Sequence, residues 1–288
     1  MASLRILVAD GNTRETNAAH AAVGGRPTGE HYVDVLQGLG VALECDIVHP
    51  ADADAQVPRG AGLEAYDGLA WTGSALNVYR GGPTVEPQLA LSRAAFACGL
   101  PQFGSCWGLQ VGVTAAGGRV EANPRGRELG IARRVTPTPA GAGHPLFGRK
   151  RGVFDAIAVH MDEVAALPPG ATVLAANSMS AVQAAVFRHG QGLFWGVQYH
   201  PEYDFNEIAC VISRYGTRLV EEGFFADLVA QNRYVAELKT LHGNPDRRDL
   251  VWLHGLDRDV MEPALRRAEL SAWLETVVRP HAARRGRG

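Results

Sequence analysis

The sequence predicts an α/β fold with a doubly wound, mostly parallel sheet. Two observations carry this. Short apolar runs bounded by Gly, Pro or Asp recur at Leu4 to Ala9, Ala42 to Val48, Gly68 to Thr72 and Leu100 to Ser105. They have the length and composition of strands buried on both faces. Helical patterns separate them, and this alternation builds a parallel sheet with helices on either side.

Taken in order, Leu4 to Ala9 is the first strand. The Gly-, Asn- and Thr-rich stretch Gly11 to Pro27 follows it at the end of the sheet where ligands gather, and is expected to be a long loop acting as a lid. Thr28 to Leu39 carries Tyr32, Val33, Val35, Leu36 and Leu39 at helical spacing; Glu86 to Cys98 is rich in Ala and Leu, and Trp107 to Ala116 follows the fourth strand directly. From Gly118 the pattern changes to strand-like pieces with turn signals at Gly130 to Val135, Ala156 to His160, Thr172 to Ala176 and Val182 to Phe187, which suits an added sheet with antiparallel pairing. Gly192 to Tyr199 is another continuous apolar strand, and Asn206 to Val229 reads as helix. The core domain is expected to span residues 1–230. Residues 231–288 form a helical C-terminal extension, with Pro245 and Pro263 as breakers and helix at Ala264 to Val278. Its last arginines, Arg279, Arg284, Arg285 and Arg287, are expected in a frayed, solvated tail.

With 288 residues, 46% of them apolar, the chain can bury a sizeable core. A formal charge of -2 gives no field that would draw it to nucleic acid or anionic lipid. The N-terminal apolar run is too short for a signal sequence or a membrane span, so the chain is expected to stay in the cytoplasm. Cys45, Cys98, Cys106 and Cys210 lack C-x-x-C spacing, which argues against both a disulfide framework and a metal site.

Cys106 has unusual neighbours. Phe103-Gly104-Ser105-Cys106-Trp107-Gly108 sets it between two nearby glycines where a strand meets a helix. Small residues permit the sharp turn that lifts a nucleophile clear of the sheet. The helix starting at Trp107 points its free N–H groups and positive dipole end at the sulfur, which favours an anion there. A buried cysteine at a tight corner would explain this segment equally well if it stood alone. A second motif tips the balance: Gln198-Tyr199-His200-Pro201-Glu202 ends a later strand, and residues two apart on an extended segment share a side. His200 can then take the Cys106 proton and later return it to a leaving amine, while Glu202 orients the ring.

These motifs resemble the class I glutamine amidotransferase domain, most closely the glutaminase domain of GMP synthases and its stand-alone relatives. The elbow G-x-C-x-G-x-Q is met by Gly104, Cys106, Gly108 and Gln110, and the His-Pro-Glu triplet by His200, Pro201 and Glu202. The resemblance implies a flavodoxin-like fold and hydrolysis of the glutamine side-chain amide through a γ-glutamyl thioester on Cys106. It implies oxyanion donors at Trp107 and at Gly73 or Ser74, and substrate contact at Gln110. His160 and Asp162 match the family's His-Gly-Asp segment, as substrate contacts or as a structural pair. The sequence departs at Thr72-Gly73-Ser74-Ala75, where the family reads Ser-Gly-Gly-Pro, and at Val159, where relatives often carry serine. No nucleotide-binding loop is present, and no cofactor is expected. The resemblance leaves room for a separate synthase or ligase that would use the ammonia. It equally leaves a γ-glutamyl peptidase or hydrolase with no such partner, and, from another class, a catalytically silent scaffold.

Overall fold

In the computed structural model, which describes residues 3–58, 60–150 and 152–287, the apolar runs pair as the parallel half of a nine-stranded sheet. The strands are β1 (Leu4–Ala9), β2 (Leu43–Val48), β3 (Gly68–Trp71), β4 (Gln102–Ser105), β5 (Arg119–Ala122), β6 (Glu128–Pro137), β7 (Phe154–His160), β8 (Asp162–Ala166), β9 (Thr172–Ala176), β10 (Ala184–His189) and β11 (Gly192–Val197). Their order in the large sheet is β2-β1-β3-β4-β11-β10-β9-β6-β7, and β5 pairs with β8 apart from it. β2, β1, β3, β4 and β11 run parallel, while the β11-β10, β10-β9, β9-β6 and β6-β7 pairs are antiparallel. This is the expected doubly wound α/β fold with its added antiparallel part.

Strand periodicity explains the two main cores. In β1, Ile6 and Val8 face Tyr32 and Leu36 of helix α2 (Thr28–Gln37), whereas Leu7 and Ala9 face the side covered by α3 (Glu86–Ala97) and α4 (Trp107–Ala115). α4 is buried almost all round, as a helix without a polar face must be. A third cluster joins Ile157 and Val159 of β7 to Ile208 and Ile212 of α5 (Phe205–Tyr215) and Leu238 of a later helix.

The stretch after β1 is not the open loop that its composition suggests. Thr13 caps a nine-residue helix, α1 (Arg14–Ala22), by accepting from the Thr16 N–H at 3.3 Å. Two polar residues of α1 face inward: Asn17 Nδ2 donates to Asp10 Oδ2 at 2.8 Å, and His20 Nε2 lies 2.9 Å from Glu207 Oε2. The expected helix Asn206 to Val229 is likewise broken, into α5 and the short helix Thr217–Glu221, by Gly216 at a φ of 55°. The helix Leu228–Gly243 then carries the chain continuously through residues 230 and 231.

The C-terminal residues pack into the body of the fold. Leu270, Trp273, Leu274 and Val278 lie in the same core as Ile6 and Phe103, and the Trp273 and Phe103 rings are 5.8 Å apart. The tail is docked rather than frayed: Arg285 Nη1 donates to the Tyr66 carbonyl at 2.9 Å, and Arg287 Nε lies 3.2 Å from Asp67 Oδ1. Because Trp273 is fully buried, Trp273→Ala is expected to cost about 3–5 kcal/mol of unfolding free energy. Urea denaturation checks this, and an unchanged midpoint would mean that residues 231–288 are a dispensable appendage.

Candidate active site

Two parallel neighbours, β4 and β11, present Cys106 and His200. Ser105 pairs with Val197, and the Cys106 N–H donates to the Val197 carbonyl at 2.8 Å, extending the ladder by one step. The chain then turns abruptly: Cys106 has a φ of 50° and leads straight into α4. A non-glycine residue there is strained, and such strain persists only where the surroundings enforce it. The surroundings are two glycines. A Cβ on Gly104 would stand 2.3 Å from the Gly108 carbonyl carbon, and one on Gly108 would stand 2.5 Å from Trp71 Cβ.

His200 Nδ1 lies 2.7 Å from Glu202 Oε1, and both residues are buried. Burial opposes a charge on the ring, but the Glu202 carboxylate and the Cys106 sulfur outweigh it and raise the His200 pKa to about 10. A cysteine sulfur, an imidazole supported as a cation and a carboxylate thus stand together, an arrangement able to attack an acyl carbon and hand a proton to its leaving group.

Three contacts that the sequence did not reveal hold this group. The Tyr203 ring stacks on His200 with centroids 4.0 Å apart and planes 10° from parallel. His31 Nε2 lies 2.9 Å from the Glu202 carbonyl, and Gln198 Nε2 donates to Cys106 Sγ at 3.5 Å. The far edge of the sheet also curls back over the site, so that the His200 N–H donates to Ile157 O at 2.8 Å and Cys106 Sγ lies 3.6 Å from Val159 O.

An open cavity of about 120 Å³ leads away from the sulfur, walled by Ser74, Gln110, Asp162, Arg127 and Arg218. Gln110 Nε2 donates to the Asp162 carbonyl at 3.4 Å, at the side of the cavity. The Asp162 carboxylate accepts from Asn77 Nδ2 at 2.7 Å and from the Tyr79 hydroxyl at 3.1 Å. His160 is held between the Asp162 carbonyl at 2.9 Å and Glu128 Oε2 at 2.8 Å. At the far end Arg127 makes a bidentate pair with Glu222 at 2.7 and 3.0 Å and lies over the Tyr215 ring, while Arg218 Nε donates to the same carboxylate at 2.8 Å. Two guanidinium groups share one carboxylate there, which leaves a net positive end. Arg127 carries no local sequence signal, since it meets Glu222 only in the fold, whereas Arg218 and Glu222 stand four residues apart.

Among the described residues the N–H groups of Gly73, Ser74 and Trp107 have no acceptor, which suits donors awaiting an oxyanion. No described group of three or more His, Cys, Asp or Glu could hold a metal ion, and no described helix is long and apolar enough to cross a membrane.

Comparison with known proteins agrees with this geometry. The profile of "Glutamine amidotransferase class-I" matches residues 32–212. A Pseudomonas γ-glutamyl-L-1-hydroxyisopropylamide hydrolase is 34% identical over 99% of this chain and 97% of its own length. The GMP synthase of Thermomicrobium roseum is 39% identical over 40% of this chain, which spans only 20% of that enzyme. Among solved structures, a glutamine amidotransferase of Thermotoga maritima covers 96% of this chain and 99% of its own with a TM-score of 0.61; at 17% identity this speaks for the fold alone. The chain belongs to the class I glutamine amidotransferase family. Within that family it is an amidohydrolase.

Proposed function

We propose that the chain works alone as a hydrolase of γ-glutamyl amides of small amines, with Cys106 as nucleophile. The observation that carries this is the buried His200–Glu202 pair beside a strained cysteine whose sulfur opens into the cavity. Cys106 Sγ attacks the γ-carbonyl carbon, and the developing oxyanion is met by the N–H groups of Ser74 or Gly73 and of Trp107. As the C–N bond breaks, His200 gives its proton to the departing amine, leaving a γ-glutamyl thioester. Water then attacks, His200 takes its proton, and the C–S bond breaks to release glutamate. Glu202 orients the ring and stabilises its charge throughout.

The same cavity fits the other end of a γ-glutamyl unit, which carries an ammonium and a carboxylate. Asp162 supplies an anion and the Arg127–Arg218 pair a cation along one wall, so these residues and Gln110 are assigned to substrate binding. His160 belongs behind them, because both of its ring nitrogens are engaged by the protein. Arg218→Ala is expected to raise KM about tenfold, the effect of losing one charge-assisted contact, with little change in kcat. Steady-state kinetics on a γ-glutamyl amide measure this, and an unchanged KM would remove Arg218 from the binding site.

The full-length likeness to a γ-glutamyl amide hydrolase, against partial likeness to synthases, supports a chain that needs no ammonia-accepting partner. Its expected home is the cytoplasm. Residues 1–230 carry the chemistry, and the extension 231–288 completes the core. Turnover by the purified chain tests the reading. Faster hydrolysis of γ-glutamyl amides of small amino alcohols than of glutamine is expected, whereas activity on glutamine alone, raised by an added synthase, would make it an amidotransferase subunit.

A further inference from the structure

We propose that Asn12 is a positioning residue that locks the oxyanion loop in its working orientation; this rests on the hydrolase reading above. Asn12 is buried beyond the end of β1, and its side chain spans the loop after β3. Its Nδ2 donates to the Gly73 carbonyl at 3.4 Å and to Thr28 Oγ1 at 2.9 Å, while its Oδ1 accepts from the Ala75 N–H at 3.1 Å. The Thr72 hydroxyl donates to the same Gly73 carbonyl at 2.9 Å, and accepts from the Gly11 N–H at 2.9 Å.

Two donors therefore hold the carbonyl of the Gly73–Ser74 peptide. In a planar trans peptide the N–H points opposite to the carbonyl. Fixing the Gly73 oxygen on the Asn12 and Thr72 side thus aims the Ser74 N–H the other way, into the cavity that Ser74 and Cys106 both line. On the same loop the Gly73 Cα lies against the His200 ring, where an added Cβ would come within 2.5 Å of Cε1. The loop departs from the family's Ser-Gly-Gly-Pro, and in place of a rigid proline it is braced from outside by one asparagine.

That brace is itself anchored. The Asn12 N–H donates to Asp10 Oδ1 at 2.9 Å, and Asp10 Oδ2 accepts from Asn17 Nδ2 at 2.8 Å and from the Gly29 N–H at 2.9 Å. Asn17 Oδ1 in turn accepts from the Thr28 N–H at 3.1 Å. Asn17, an inward polar residue of α1 with no evident purpose in a lid, stiffens the bracket that holds the donor. The donor is consequently in place before substrate arrives, and no partner protein is required to turn the peptide.

The test compares wild type with Asn12→Ala, Asn12→Asp and Thr72→Val on a γ-glutamyl amide. Wild-type turnover addresses the hydrolase reading; the ratio of variant to wild type addresses Asn12. The expected result is a fall in kcat of about 10²-fold for either Asn12 variant, the scale of one mispositioned oxyanion donor, with KM changed by less than about threefold. A γ-glutamyl aldehyde, whose carbonyl carbon bonds the sulfur and whose oxygen becomes the oxyanion, should lose affinity by a similar factor. Alkylation of Cys106 by iodoacetamide, which forms none, should keep its rate. Thr72→Val, which removes the second donor to the same carbonyl, should reproduce the pattern more weakly and serves if an Asn12 variant does not fold. Unchanged kcat, or equal losses in aldehyde affinity and alkylation rate, would overturn the proposal.

Discussion

Cys106→Ala is expected to abolish turnover of γ-glutamyl amides, by a factor on the order of 10⁶, the scale on which removing the covalent nucleophile of a triad acts. The fold should survive. Alanine keeps the Cβ that the elbow already accommodates at its positive φ, and loses only a sulfur whose contacts are Val159 O at 3.6 Å and Gln198 Nε2 at 3.5 Å. The melting temperature should therefore move by a few degrees at most. A glutamine-mimicking chloromethyl ketone should label the wild type at this residue and leave the variant unmodified. Cys98→Ala is the control: that thiol lies at the end of α3, donating to Ala95 O at 3.5 Å, and its loss should leave activity unchanged. If Cys106→Ala retained wild-type rates on every γ-glutamyl amide, the covalent mechanism would be wrong, and the catalytically silent scaffold would follow if neither chain turned over any of them.

What could be read in advance follows a physical boundary between local and distant causes. β1, β3 and β4 were legible because a parallel strand buried on both faces needs an unbroken apolar run, and turn residues must bracket it. The elbow was legible because Gly104 is demanded by a clash with Gly108 and Leu109, within five residues of chain, although Gly108 answers to the distant Trp71. His200 and Glu202 were legible because extended backbone puts i and i+2 on one side. Asn12 and Gly73, by contrast, are 61 residues apart, and Arg127 and Glu222 are 95 apart. No periodicity encodes such a meeting. The polar stretch after β1 reads as a lid loop for a related reason: Asn17 and His20 point inward to Asp10 and Glu207, so burial there follows hydrogen bonding and not hydropathy. The arginines of the tail deceived in the same way, since the carbonyls that Arg285 and Arg287 reach belong to Glu64 and Tyr66, more than two hundred residues earlier.

Glu202→Gln is expected to slow turnover by about 10⁴-fold, and His200→Ala by about 10⁶-fold, because the first residue directs the base and the second is the base. With glutamate the Nδ1–H of His200 donates to Oε1 at 2.7 Å, which leaves Nε2, buried and without a hydrogen-bond partner among the described residues, to exchange a proton with sulfur and substrate. A glutamine amide that turns its NH₂ toward Nδ1 makes that nitrogen an acceptor and moves the ring proton to Nε2, the wrong tautomer for receiving the thiol proton. The geometry should otherwise persist, since Tyr203 still stacks on the ring and His31 still contacts the backbone carbonyl of residue 202. The pH profile separates a change of charge from a simple loss of shape. In the wild type the His200 pKa is raised to about 10 despite burial, by Glu202 first and Cys106 second among the raising influences. The ring is therefore protonated below that pH, and kcat/KM should fall as pH rises through it. Without the Glu202 charge, burial pulls the pKa down, and the alkaline fall should begin at lower pH. A Glu202→Gln enzyme whose alkaline limb stayed in place, or one slower than His200→Ala, would mean that Glu202 does not support the His200 charge and that its role lies elsewhere.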